Sequence, residues 1–112
     1  MRYVLTADHK IPDRPPLVVR PGDVVQVGER DTEWPAFVFV AAPNGTGWVP
    51  ARHIDIDGSV GIVRVGYDTA ELPAVSGESV HVLEDDPESG WSWCRNDDGR
   101  QGWVPHRALA RA

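Results

Sequence analysis

The sequence predicts an all-β chain of two tandem small barrels, and three observations carry that expectation. Gly47, Trp48, Val49 and Pro50 recur unchanged as Gly102, Trp103, Val104 and Pro105. The same spacing carries Leu17 onto Leu72, Gly22 and Asp23 onto Gly77 and Glu78, Val25 and Val27 onto Val80 and Val82, and Glu29 onto Glu84. Ten prolines and eleven glycines then interrupt the chain so often that no helical pattern of useful length survives.

A repeat of this length exceeds the roughly 20 to 50 residues of a solenoid unit, which also needs several copies. Two small domains fit better, over residues 1–56 and 59–112, with Asp57, Gly58 and Ser59 as the linker. A linker that short forbids independent tumbling, so the two barrels are expected to pack against each other. Each half sits near the lower size limit for folding without disulfides or metals, so its few large apolar side chains must be buried efficiently.

The elements follow in order. The N-terminus reaches Asp8 before a signal-peptide core could form. A long loop follows, containing the Pro-x-x-Pro run Pro12, Asp13, Arg14, Pro15, Pro16, which reads as a rigid loop or as a ligand for an acidic groove. In the first half the aromatic strand holds Phe37, Phe39 and Val40, and Pro43, Asn44 and Gly45 turn it into the strand Gly47 to Pro50. In the second half Val80, His81 and Val82 alternate, Trp91 to Arg95 form a half-buried strand, and Asn96, Asp97, Asp98 and Gly99 supply a tight hairpin turn. Pro50 and Pro105 stop further pairing at the ends of the closing strands. Because side chains alternate along a strand, Trp91 and Trp93 share one face and Ser92 and Cys94 the other, and Trp103 lies opposite Val104.

Composition narrows function. Hydrophobic content of 41% and charged content of 25% are those of a soluble globular protein. No stretch approaches the roughly 18 apolar residues of a membrane span, so no membrane partner is expected. The single cysteine, Cys94, lies in an apolar strand and reads as a small buried hydrophobe in a reducing, cytoplasmic setting. Residues 1–56 carry six basic and seven acidic side chains and residues 57–112 five and ten, so the second half holds most of the net charge of -6. Nucleic acid is disfavoured as a partner and a cationic protein segment favoured. His9, His53, His81 and His106 lack the paired spacing of a zinc site. No nucleophile stands beside a base and no phosphate loop opens a helix, so neither catalysis nor a cofactor is expected.

Tyr67, Asp68, Thr69, Ala70, Glu71 and Leu72, then Gly77 and Glu78, Val80 and Val82, Trp91, and Gly102 to Pro105 together resemble a Src-homology-3 (SH3) domain, similar to bacterial variant SH3 proteins. The first half resembles it through Ala7, Asp8, Leu17, Gly22, Asp23, Phe37 and Gly47 to Pro50. The resemblance implies that Cys94, Val104, Val40 and Val49 point inward, leaving Trp91, Trp93 and Trp103, and Phe37, Phe39 and Trp48, on outer surfaces. It also implies a non-catalytic interaction module that holds a polyproline-II segment between aromatic rings, with acids selecting an Arg or Lys.

By that resemblance the contact residues are Tyr67, Glu71, Trp91, Trp93, Trp103 and Pro105 in the second half and Phe37, Trp48, Pro50 and His53 in the first. The sequence departs from the family at Val65 and Ala108, where tyrosines would stand, and at His53 in the late tyrosine position of the first half. The run Glu84, Asp85, Asp86, Pro87, Glu88 is expected in the loop before Trp91, to attract a cation or to be solvated. A second use of the aromatic faces is burial between repeats or in a homodimer. Exposure of the five tryptophans separates the two readings.

Overall fold

The computed structural model describes residues 1–112, and the fold is all-β with two short 3-10 turns and no α-helix. The strands are β1 (Arg2–Leu5), β2 (Val18–Val19), β3 (Val24–Arg30), β4 (Phe37–Ala42), β5 (Gly45–Pro50), β6 (Ile54–Asp57), β7 (Val60–Val63), β8 (Tyr67–Asp68), β9 (Ser79–Asp86), β10 (Trp91–Arg95), β11 (Gln101–Pro105) and β12 (Leu109–Arg111). The 3-10 turns are Ala51–His53 and His106–Ala108.

The chain forms two compact units whose boundaries do not follow the repeat. One unit joins Met1–Arg14 to Ala70–Ala112, and the other is the continuous stretch Pro15–Thr69. The first contains the sheet β11-β10-β9-β1-β12, the second the sheet β5-β4-β3-β7-β6 together with the small pair β2-β8. The two large sheets therefore share one layout, with β7 in the second unit occupying the slot that β1 fills in the first. This departs from the expected division at 1–56 and 59–112.

The reason lies at the expected linker. Asp57 and Val60 face each other across the β6–β7 hairpin, so Gly58 and Ser59 are its two-residue loop. Gly58 has φ 63°, a left-handed conformation that a two-residue hairpin loop requires and glycine adopts without strain. The chain thus reverses directly from β6 into β7, a local pairing with little loop-closure entropy. With that slot filled, β1 pairs instead with β9 and β12, through Tyr3 opposite Val80 and Arg111.

Each sheet buries its own core. Leu5, Leu72, Ala74, Val80, Cys94, Val104 and Ala108 pack in the first unit, and Leu17, Val19, Val25, Val38, Val40, Val49, Ile54 and Val63 in the second. Leu5 and Val63 are the corresponding last residues of β1 and β7. Cys94, Val104, Val40 and Val49 are fully buried, as the family resemblance implies.

The repeated Gly-Trp-Val-Pro strand has a packing role. A Cβ on Gly102 would lie 2.5 Å from the backbone of Glu71 and Leu72, so glycine lets that segment cross β11 closely. On Gly47 a Cβ would meet Thr69 Cγ2 at 3.2 Å and Leu17 Cβ at 3.3 Å. The Leu72 N–H donates to the Trp103 carbonyl at 3.1 Å, and the Trp103 N–H donates to the Ala70 carbonyl at 3.0 Å. In the second unit the Leu17 N–H donates to Thr69 Oγ1 at 2.6 Å.

The exchange also redistributes charge. The first unit holds seven basic and ten acidic side chains and the second four and seven, so each carries -3. The acidity that the repeat boundaries assign to the second half is thus shared evenly between the folded units.

Candidate functional site

In the first unit, pairing of β10 with β11 sets Trp91 opposite Pro105 and Trp93 opposite Trp103. Trp93 and Trp103 meet edge to face at 5.2 Å, and Trp93 Nε1 donates to Gln101 Oε1 at 2.8 Å. Trp91 is met edge to face by His9, ring centre to ring centre 5.6 Å. His9 is fixed by backbone hydrogen bonds in both directions with Ala74, and Glu71 by its bridge to Trp103. His9 Nε2 then lies 3.1 Å from Glu71 Oε1, an ion-pair distance without hydrogen-bond alignment.

On the neighbouring strand, Asp85 Oδ1 accepts from Ser92 Oγ at 2.9 Å and lies 2.7 Å from His106 Nε2. Glu84, Asp85 and Asp86 belong to β9, so the expected acidic loop is mostly strand, and only Pro87 to Gly90 connect it to β10. Cys94 lies behind this surface, and burial pushes its thiol up to about 11. It therefore stays a neutral core side chain near pH 7.

The second unit repeats the arrangement with different rings. Phe37 faces Pro50 across β4 and β5, and Tyr67 meets Phe37 at 6.4 Å and His53 at 5.4 Å, both edge to face. Phe39 and Trp48 form the counterpart of the Trp93–Trp103 pair at 5.1 Å.

The expected site residues thus fall into two groups. Glu71, Trp91, Trp93, Trp103 and Pro105 belong to the first unit. Tyr67, expected beside Trp91, belongs to the second unit with Phe37, Trp48, Pro50 and His53, because residues 60–69 complete that unit's sheet and its β2-β8 pair. His9 takes the corresponding place in the first unit. Sequence reading missed it, although it follows the buried Leu5 by the same four residues that separate Tyr67 from the buried Val63.

The tryptophans do not fall on one side of the expected test. Trp34, Trp48, Trp91 and Trp93 are half-buried, and Trp103 is buried although strand parity turns it outward. Its backbone is bonded to the crossing segment at Ala70 and Leu72. Pro12 to Pro16 are exposed and span the boundary between the units at Arg14 and Pro15.

The first unit is therefore a small β structure that places aromatic rings, a proline and a carboxylate together at one side. Residues 64–111 match the family of the variant SH3 domain. The match supports one SH3 domain, a small β-barrel, and all but its first six residues lie in the first unit. SH3 domains are in general non-catalytic protein-interaction modules. No curated protein and no solved structure matches the chain.

Proposed function

We propose that the first unit is a non-catalytic protein-interaction module that binds an Arg-containing, proline-rich segment. The observation that carries this reading is the meeting of Trp91, Pro105, His9 and Glu71 in the part of the chain that matches the SH3 family. A polyproline-II segment is already ordered, so laying its prolines against half-buried rings costs little conformational entropy. Glu71 then faces the basic residue of the segment, and Glu84 and Glu88 steer it. Phe37, Trp48, Pro50, His53 and Tyr67 form a second contact surface on the other unit.

Titration of isotope-labelled protein with Arg-containing proline-rich peptides, followed through backbone amides and the Trp indole signals, tests this. Shifts at Trp91 and Glu71 that disappear in Trp91→Ala are expected. If no signal moves at millimolar peptide, the peptide reading fails and the aromatic faces are structural or serve a homodimer.

A further inference from the structure

We propose that His9 sets which ligand the Trp91 site accepts, admitting a cationic group onto Glu71 only while its imidazole is neutral. This rests on the peptide-binding reading of the same site and adds a selectivity that the sequence reading did not contain.

The geometry couples the three side chains. Relative exposure is 10% for the His9 side chain and 22% for that of Glu71, so Glu71 keeps an accessible portion and His9 almost none. The imidazole and Trp91 rings meet edge to face, and its Nε2 lies 3.1 Å from Glu71 Oε1. The backbone bonds to Ala74 hold the residue where it is. The second unit has Tyr67 at the corresponding position, and a phenol cannot supply a positive charge there.

The charge states then decide the outcome. Histidine changes charge between about pH 5 and 8. Neutral His9 leaves the Glu71 carboxylate as the acceptor for a guanidinium. Protonated His9 places an internal cation 3.1 Å from the same oxygen, so an arriving Arg meets a compensated carboxylate and a like charge. By linkage, under conditions where His9 is protonated in the free protein, binding of a cationic ligand displaces that proton.

Other titratable groups stand nearby. Asp8 precedes His9 and its Oδ1 accepts from the Ser76 N–H at 2.8 Å. Glu78 accepts from the Val75 N–H at 3.2 Å, and Lys10 is exposed. The His106–Asp85 pair lies toward β9 and is more exposed, so it is the group most able to imitate the effect.

The test is calorimetric titration of the full chain with one Arg-containing proline-rich peptide at about pH 8 and about pH 5.5. It is repeated near pH 6.5 in two buffers of different ionisation enthalpy. Affinity is expected to fall about tenfold toward the lower pH, with net proton release near pH 6.5. His9→Phe, which keeps a ring against Trp91, should bind with little pH dependence, and Glu71→Gln should bind weakly at both values. His106→Gln should retain the native profile. Should His9→Phe fail to give a native amide spectrum, the Glu71→Gln profile and the proton release in the native chain decide the matter. A native affinity that is flat with pH, or a pH dependence that follows His106, overturns the role of His9 while leaving peptide binding intact. Absence of binding at every pH overturns both.

Discussion

Leu5→Ala distinguishes the exchanged fold from two consecutive repeats. Leu5 is 2% exposed and packs among Leu72, Val80, Cys94 and Val104, and its backbone is bonded to Glu78 and Gly77, all in the first unit. Truncating a leucine this buried costs about 3 kcal/mol, toward the lower end of the range for such sites, because the small core around it collapses only partly. At 1.4 kcal/mol per factor of ten, that raises the opening equilibrium of the unit by about a hundredfold.

Native-state amide exchange resolves the effect by position. Amides of β9, β10 and β11, including Val80, Cys94 and Val104, should exchange about a hundredfold faster. Those of Val40 and Val49 should change far less. Val63→Ala, at the end of β7, should give the reverse pattern, since Val63 packs with Leu17, Val40 and Val49. If Leu5→Ala deprotects β3 to β5 and spares β9 to β11, the strand exchange is refuted and the repeats fold as consecutive segments.

Two further outcomes are expected. Gly102→Ala should lower the thermal midpoint by the equivalent of about 2 to 3 kcal/mol, because the new methyl meets backbone rather than a movable side chain, and thermal unfolding monitored by circular dichroism checks it. The Cys94 thiol is raised from 9.0 to about 11 by burial, so the stability it contributes is fully present below pH 9 and is lost as pH rises through about 11. Denaturant unfolding should show up to about 3 kcal/mol disappearing across that window, and Cys94→Ala should remove that part of the pH dependence.

Much of the architecture is legible in the residues themselves. Alternation separates Cys94 from Trp91 and Trp93 and Val104 from Trp103, the family resemblance turns Cys94, Val104, Val40 and Val49 inward, and all four are buried; Asp98 and Gly99 mark a hairpin in which Gly99 has φ 87°. The repeat of Gly-Trp-Val-Pro finds the corresponding strands β5 and β11. Of the candidate site, Trp91, Pro105 and Glu71 were readable as one group. His9 was not, because it lies 62 positions from Glu71 and 82 from Trp91, and nothing local in the sequence joins them.

The sequence by itself determined the strand class, the alternation of faces along each strand and the recurrence of Gly-Trp-Val-Pro, since these depend on local periodicity, turn chemistry and residue identity. Only the tertiary structure decided which opening strand joins which sheet, and with it the exchange of Tyr67 for His9 beside Trp91 and the equal charge of the two units. Ladder hydrogen bonds carry almost no sequence identity, and Leu5 and Val63 each present a buried apolar side chain to the core of its unit. The choice therefore falls to chain geometry, where the tight turn at Gly58 gives β7 to its neighbour β6 and leaves β1 for the distant partner.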